Sequence, residues 1–496
     1  MFSRSFAFVA VVLLSAAGDA PAIHPLSAEA MAEVESAART DDAAIAHVLG
    51  RLTYGPRPGD LDRVRSVGIQ KWIDSQLSPS RIDNAALNAR LERLQTLELD
   101  SQTIQRDYSG PAMVERRQRK LDNPEAEPQD PAMRRGPASD AQRKDRQVIA
   151  EIGEAKLLRA VYSERQLEEV LVDFWFNHFN VFAGKGATRN YVSEYEREAI
   201  RPFVLGTFRD MLGATAKSPA MLFYLDNWLN SVPNQRAEAS PRASDAKPRR
   251  VSGFNENYAR ELMELHTLGV DGGYTQQDIV NVARAFTGWT MQPRQGSGFM
   301  FAAARHDRGE KLVLGRTIKA GGGVEDGEQV LDIVAAHPAT ARHIAAKLAI
   351  RFVSDTPSPQ LIDRIAARFT ATGGNLREVV RTILTSPEFM SPDVYRAKVK
   401  TPLEFVASAL RATGAEVRTA LPLARTLRDM GMPLYFCQPP TGYGEASSTW
   451  VSAGALVSRM NFAVELSKNA IRGVHVPLSE EQTLAIQIGA PEFQRQ

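Results

Sequence analysis

Over most of this chain, apolar residues recur at the three-to-four-residue spacing of helices. Ala43 to Leu52, Ile69 to Leu77 and Ala85 to Leu99 give the first helical stretches. From about Ser101 to Lys144 the chain turns polar and charge-rich, and reads as a partly disordered excursion with a short helix at most. Periodicity returns at Asp145 and runs to Tyr224. A second gap, Ser231 to Ser252, carries Pro233, Pro241 and Pro248 ahead of Arg249 and Arg250, and reads as a long loop. After Trp289 the helical pattern weakens, and Phe299 to Phe301 and Lys311 to Ile318 read as short strands. Thr275 with Asp278 then caps Ile279 to Phe286, and Asn375 with Glu378 caps Leu376 to Leu384. Pro402 to Ala412 and Ser452 to Ala470 continue the helical pattern. The pattern predicts a mainly α fold. One large multi-helix domain spans 43–473, with polar insertions at 101–144 and 231–252, a small β excursion near residues 299–318, and a tail at 474–496.

Composition narrows the setting. The 496 residues hold 60 Lys and Arg against 58 Asp and Glu, a balance that argues against nucleic acid as partner. The first residues have the order of a secretory signal: Arg4, an apolar run from Phe6 to Leu14, then small residues through Ala20-Pro21-Ala22. Residues 1–22 are therefore expected to be a signal peptide and 23–42 a flexible segment, with the protein periplasmic or secreted. No later segment is long and apolar enough for a membrane span. Cys437 is the sole cysteine, so no internal disulfide can form. The thiol reads as a small buried filler, and stability rests on packing or a bound metal.

Three helical segments carry candidate chemistry. In Asn255 to Trp289, side chains step about 100° per residue. With Glu261 at zero, Leu268, Leu265, Tyr258, Leu262, Ala259 and Met263 sweep an apolar arc that also holds Glu261 and, deeper, His266. Glu261 and Glu264, three apart, can converge; Glu261 and His266 cannot reach one ion from this helix alone. In Leu167 to Phe182, His178 sits in the middle of an apolar face and needs a partner for each ring nitrogen. The third segment, Thr188 to Phe203, aligns Asn190, Glu194, Glu198 and Arg201. There Glu194 and Glu198 repel unless a cation intervenes. A divalent metal held by His178, Glu261, Glu264, Glu194 and Glu198 is one reading. A metal-free catalytic cleft with Glu261 as base is a second. A structural network satisfied by Arg201, Arg260 and Asn177 is the third. The Glu-x-x-His and His-Glu-x-x-His spacings are absent.

Other features are plainer. His306-Asp307 lies in a polar turn and His337 precedes Pro338 at a helix start, while His343 reads as a surface or packing residue. Pro439-Pro440-Thr441-Gly442-Tyr443-Gly444 is a loop of mixed stiffness beside Cys437, where Tyr443 and Trp450 are candidates to line a cleft. No Gly-x-Ser-x-Gly elbow appears.

Several of these segments together resemble the large bacterial family called domain of unknown function 1800. They are His47 to Gly59, Phe174 to Phe179 (FWFNHF), Asn255 to Trp289, His337 to Phe352, and the closing PPTGYG with Trp450 and Arg459 to Phe462. The resemblance spans about residues 45 to 470 and implies an exported, helix-rich fold. It also implies a partner resembling exported proteins of the alkaline phosphatase and sulfatase superfamily. Unlike many such relatives, this chain has no twin-arginine pair near its start. The expectation is a hydrolase or metal-dependent enzyme acting on an extracytoplasmic polymer or glycan, with His178, Glu261, Glu264 and His266 lining the cleft. The alternative is a non-catalytic binding or assembly partner of another exported enzyme.

Overall fold

The computed structural model describes residues 41–122, 138–232, 254–292, 296–477 and 481–496. The expected signal peptide, most of the 23–42 segment, residues 123–137 and residues 233–252 lie outside them.

Helices dominate, as the periodicity requires, and they share one apolar core that runs from Ile45 near the start to Ile488 near the end. Residues 41–52 form α1. Helix α2, Asp140–Tyr162, is capped by Ser139, whose hydroxyl accepts from the Gln142 amide at 3.2 Å. It starts at Asp140 rather than Asp145, because a cap and not an apolar residue sets its first turn. Helix α3, Gln166–His178, is apolar nearly all round and buried accordingly, with Leu167, Leu171, Phe174, Trp175 and His178 inside.

The polar stretch after Ser101 is more ordered than its composition suggests. Ser101–Ile104, a π segment Gln105–Ser109, and Gly110–Asp122 are helical. Asp100 caps the first of these, and Ser101, Ile104, Ser109 and Ala112 face inward. A few docked residues hold a charged helix that its average polarity hides.

Helix α4, Glu256–Glu261, begins at Asn255 and widens into a π segment, Leu262–Thr267. There Leu268 N–H reaches Met263 O at 2.9 Å and Thr267 Oγ1 reaches Leu262 O at 2.6 Å. Each π turn inserts an extra residue, so a constant 100° step loses register here.

Helix α5, Pro338–Phe352, starts where His337 Nδ1 accepts from Ala339 N–H at 3.2 Å, with Pro338 in the first turn. Helix α6, Pro402–Ala412, opens with a full capping box between Thr401 and Glu404, as Gln276–Ala285 does between Thr275 and Asp278. Asn375 caps its helix too, but the Glu378 carboxylate turns instead to Arg368.

The β excursion is two hairpins. Strand β1, Trp289–Gln292, pairs antiparallel with β2, Gly296–Phe301. Strand β3, Lys311–Val313, pairs with β4, Arg316–Ile318. His306 and Lys311 are buried beneath them and share one oxygen of Asp326, at 3.2 and 2.7 Å. His306 Nδ1 also lies 2.8 Å from Thr287 O, so this polar turn is a saturated structural network.

The segment read as a tail packs against the body. Val474–His475 pairs with Glu416–Val417, and Gln496 exchanges backbone hydrogen bonds with Lys398. Among the described residues no helix is long and apolar enough to cross a membrane.

Candidate functional site

Four of the singled-out segments meet at one place: the end of α3, the π segment of α4, the second half of α5, and the Pro-Gly loop after Cys437. The loop is held by two asparagines that flank His178. Asn177 Nδ2 donates to Tyr443 O at 2.8 Å, and its Oδ1 accepts from Tyr443 N–H at 2.7 Å. Asn180 Nδ2 donates to Cys437 O at 3.0 Å and to Pro439 O at 2.8 Å. Trp450 Nε1 closes the far side on Gly444 O at 3.0 Å, and its ring lies 5.8 Å from that of Tyr443. Tyr443 and Trp450 thus do line a cleft.

The cleft is narrow. Two spaces of about 20 Å3, each near the size of one water, lie on either side of Asn177 and Tyr443 and share Asp173 and Met432. A larger groove of about 320 Å3 around Phe208 and Phe369 is apolar, and its Arg209 and Asp332 are paired with each other at 2.6 Å.

Charge is concentrated in the cleft. Asp173, one turn before Asn177, pairs with Lys156 at 2.7 Å. Glu404 is bonded to Arg351 and also accepts from Thr401 N–H and from Gln496. Burial works to raise Glu404, but the Arg351 charge together with the hydrogen bonds from Gln496, Thr401 and Arg351 outweighs it and holds the carboxyl down at about 2. Glu445 differs. Asn177 Nδ2 donates to its Oε1 at 3.1 Å, and burial pushes its carboxyl above the ordinary range, opposed by Arg351 and Lys347 and helped by Asp173 and Glu404. Lys347 makes no hydrogen bond or ion pair with any described residue; burial lowers its proton affinity and Glu445 opposes that. Carboxyls with opposite shifts beside an unpaired, half-buried ammonium mark a site candidate.

Behind the cleft stand three imidazoles. His178 lies 6.2 Å from His266 and 6.3 Å from His343, ring centre to ring centre. Carbonyls only accept, so His178 Nε2–H donates to His266 O at 3.1 Å and His343 Nε2–H donates to Leu265 O at 3.2 Å. Burial first, and the Lys347 charge second, lower all three, His266 to about 3 and His343 to about 4. Neutral His178 keeps a buried Nδ1 lone pair without a donor, and buried His266 Nε2 has no partner either.

The expected residues divide. His178 and His266 come together. Glu261 and Glu264 face each other elsewhere: burial and then the Glu264 charge raise Glu261, whose field reaches Tyr224 and Tyr274 rather than the imidazoles. Glu194 is spent on Ser101, accepting from its N–H at 2.7 Å and from its hydroxyl. Glu198 is exposed and pairs with Arg197 at 2.8 Å. The segment Thr188 to Phe203 is not one helix. It passes through 3-10, α, π and 3-10 turns, so the aligned row of acids dissolves and Arg201 pairs with Glu169 and Glu196. The five expected metal ligands therefore do not converge, and among the described residues no three His, Cys, Asp or Glu are placed to hold one ion. Cys437 is buried, and burial pushes its thiol up to about 11, an inert filler.

Sequence reasoning passed over Asp173, Lys156, Lys347, Arg351 and Glu445. A signal was available: Asp173 and Asn177, and Lys347 and Arg351, are i,i+4 pairs on otherwise apolar helices.

The chain matches the family described as a protein of unknown function, DUF1800, over residues 47–494. No curated protein matches it and no solved structure does.

Proposed function

For a chain that belongs to the DUF1800 family, we propose a periplasmic or secreted hydrolase that works by general acid–base catalysis in the cleft between α3, α5 and the Pro-Gly loop. The observation that carries this reading is Glu445, a carboxyl with raised proton affinity beside the ion-paired Asp173 and the unpaired Lys347. Glu445 donates its proton to the leaving oxygen. Asp173, oriented by Lys156, takes one from the attacking water. Lys347 and Arg351 oppose negative charge that develops between them. The imidazoles lie one layer behind as positioning residues. The cleft admits little more than water, so substrate entry requires the 439–445 loop to move. Export rests on the residue pattern of 1–22.

The test is a panel of chromogenic esters, phosphate esters, sulfate esters and glycosides, turned over by the mature protein and by Glu445→Gln. One class should be hydrolysed, with the variant folded but inactive. No turnover of any class, with the variant differing only in stability, would sink the enzyme reading.

One observation favours the second reading, a binding or assembly partner of an exported sulfatase- or phosphatase-like enzyme. Helix Ala453–Ser467 exposes Leu456, Val457, Met460 and Val464, a stripe at helical spacing on the outside of the fold.

A further inference from the structure

A second cavity, of about 400 Å3, lies under the C-terminal segment and is bounded by α1, α6 and residues 395–400. The hydrogen bond from Gln496 Nε2 to Glu404 Oε1, 2.8 Å long, stands between it and the acidic cleft.

Lys400 gives this cavity its character. It is buried, yet it makes no ion pair with a carboxylate among the described residues, its side-chain hydrogen bond going to Ser408. Its Nζ donates only to the neutral Ser408 Oγ, at 3.1 Å, and lies 4.0 Å above the Phe493 ring. Ser408 Oγ in turn donates to Phe405 O at 3.0 Å. Arg396 and Arg495 line the same space, with Glu492 as the single acid among the lining residues. Burial holds the Lys400 ammonium down to about 7, opposed by the Glu404 charge, which makes no ion pair with it, and helped by Arg459 and Arg396. A buried cation without a counter-ion is costly, and an anion brought against it recovers that cost.

The remaining wall is mainly aromatic and apolar, with Gln487 and Gln496 as its polar members. His47 stacks on Tyr395 at 4.4 Å, and burial keeps its ring neutral, down at about 4. Phe493, Ala43, Ala46 and Ala412 add apolar surface to the lining. A free phosphate would leave these surfaces unused, whereas a carboxylate on a small apolar body uses both.

We infer that this cavity binds a small carboxylic acid with an aromatic or short aliphatic body, its carboxylate against Lys400 and its body between Tyr395 and Phe493. The site is a separate space from the acidic cleft, with Gln496 and Glu404 between them.

The experiment uses the full mature chain and the probes benzoate, acetate, benzamide and inorganic phosphate, followed by calorimetric titration and by melting. Benzoate should bind saturably and raise the melting temperature, acetate more weakly. Benzamide, which keeps the body and lacks the charge, should bind at least about tenfold more weakly. Lys400→Met should fold and lose the preference for benzoate over benzamide, while Phe493→Leu weakens benzoate and leaves the preference. No binding by either carboxylate at low millimolar concentration would overturn the inference, as would equal binding by Lys400→Met. Phosphate binding alone would replace it with a simple anion site and overturn the acid assignment.

Discussion

Gly442 lies so close to Asn177 that a β-carbon at residue 442 would sit 2.3 Å from the Asn177 carbonyl oxygen. Its φ of 71° is also one that side-chain-bearing residues avoid. This one contact lets Asn177 donate to Tyr443 O, accept from Tyr443 N–H and still reach Glu445. The loop and the last turn of α3 therefore behave as one unit, and the position of Glu445 is set by a glycine three residues away.

Gly442→Ala should consequently disturb the cleft before it disturbs the fold. Strain and clash together are expected to cost about 1–3 kcal/mol, a melting shift of several degrees. Near-ultraviolet circular dichroism, which reports Tyr443 and Trp450, should change while helix content does not. An unchanged melting temperature and aromatic spectrum would show that the loop does not depend on this contact.

Two of the cleft carboxyls, Glu404 and Glu445, should give stability opposite pH slopes. Glu404 is depressed from 4.5 to about 2. Its contribution, up to ~3 kcal/mol, is present above 4.5 and lost as pH falls through that window. Glu445 is raised above 4.5. Its contribution is present below 4.5 and lost as pH climbs through its higher folded value. Melting against pH should therefore show a shoulder above 4.5 that disappears in Glu445→Gln, while the acid limb remains. A shoulder that survives in the variant belongs to another group.

Much of the fold was legible because helices announce themselves by spacing and caps: Thr275, Asn375 and Thr401 each start a helix where the sequence says. The site was legible only in part. His178 and His266 stand out because an imidazole on an apolar face is anomalous wherever the face turns. The acids were misplaced because residues 262–267 and 195–200 are π segments, and no local sequence signal marks the added residue per turn. Asp173, Lys347 and Glu445 come together across long chain separations, and the periodicity of one helix carries no information about its neighbour.

Lys347→Met should separate function from stability. Burial lowers the proton affinity of this amine below its ordinary 10.5, so the folded state gains relative stability as pH rises toward that value. Replacing it with an apolar chain of similar length removes the desolvation cost, and should raise stability near neutral pH by about 1 kcal/mol. If Lys347 opposes charge in the transition state, the same variant loses turnover. A more stable, inactive protein supports that role. A less stable one would mean that an ion pair forms there in solution.

The separation of the imidazoles from Glu261 is open to direct measurement of metal. Among the described residues His178 Nδ1 and His266 Nε2 have no partner and Glu261 and Glu264 make no ion pair, so each pair taken alone resembles part of a ligand set. Their placement keeps them from sharing an ion, and Glu194 and Glu198 are committed to Ser101 and Arg197. Mature protein purified without chelator or affinity metal, beside His178→Ala and Glu261→Gln, should show the same metal content in all three. His178→Ala should lose about 1–3 kcal/mol from the cavity it opens beside Phe174, Trp175 and Phe179. Glu261→Gln should gain slightly at neutral pH, because it removes a carboxylate that burial and Glu264 disfavour. A stoichiometric ion that disappears in both variants would mean that α4 rotates to carry Glu261 toward His178. The cleft chemistry would then pass from carboxyl acid–base work to a metal-activated water.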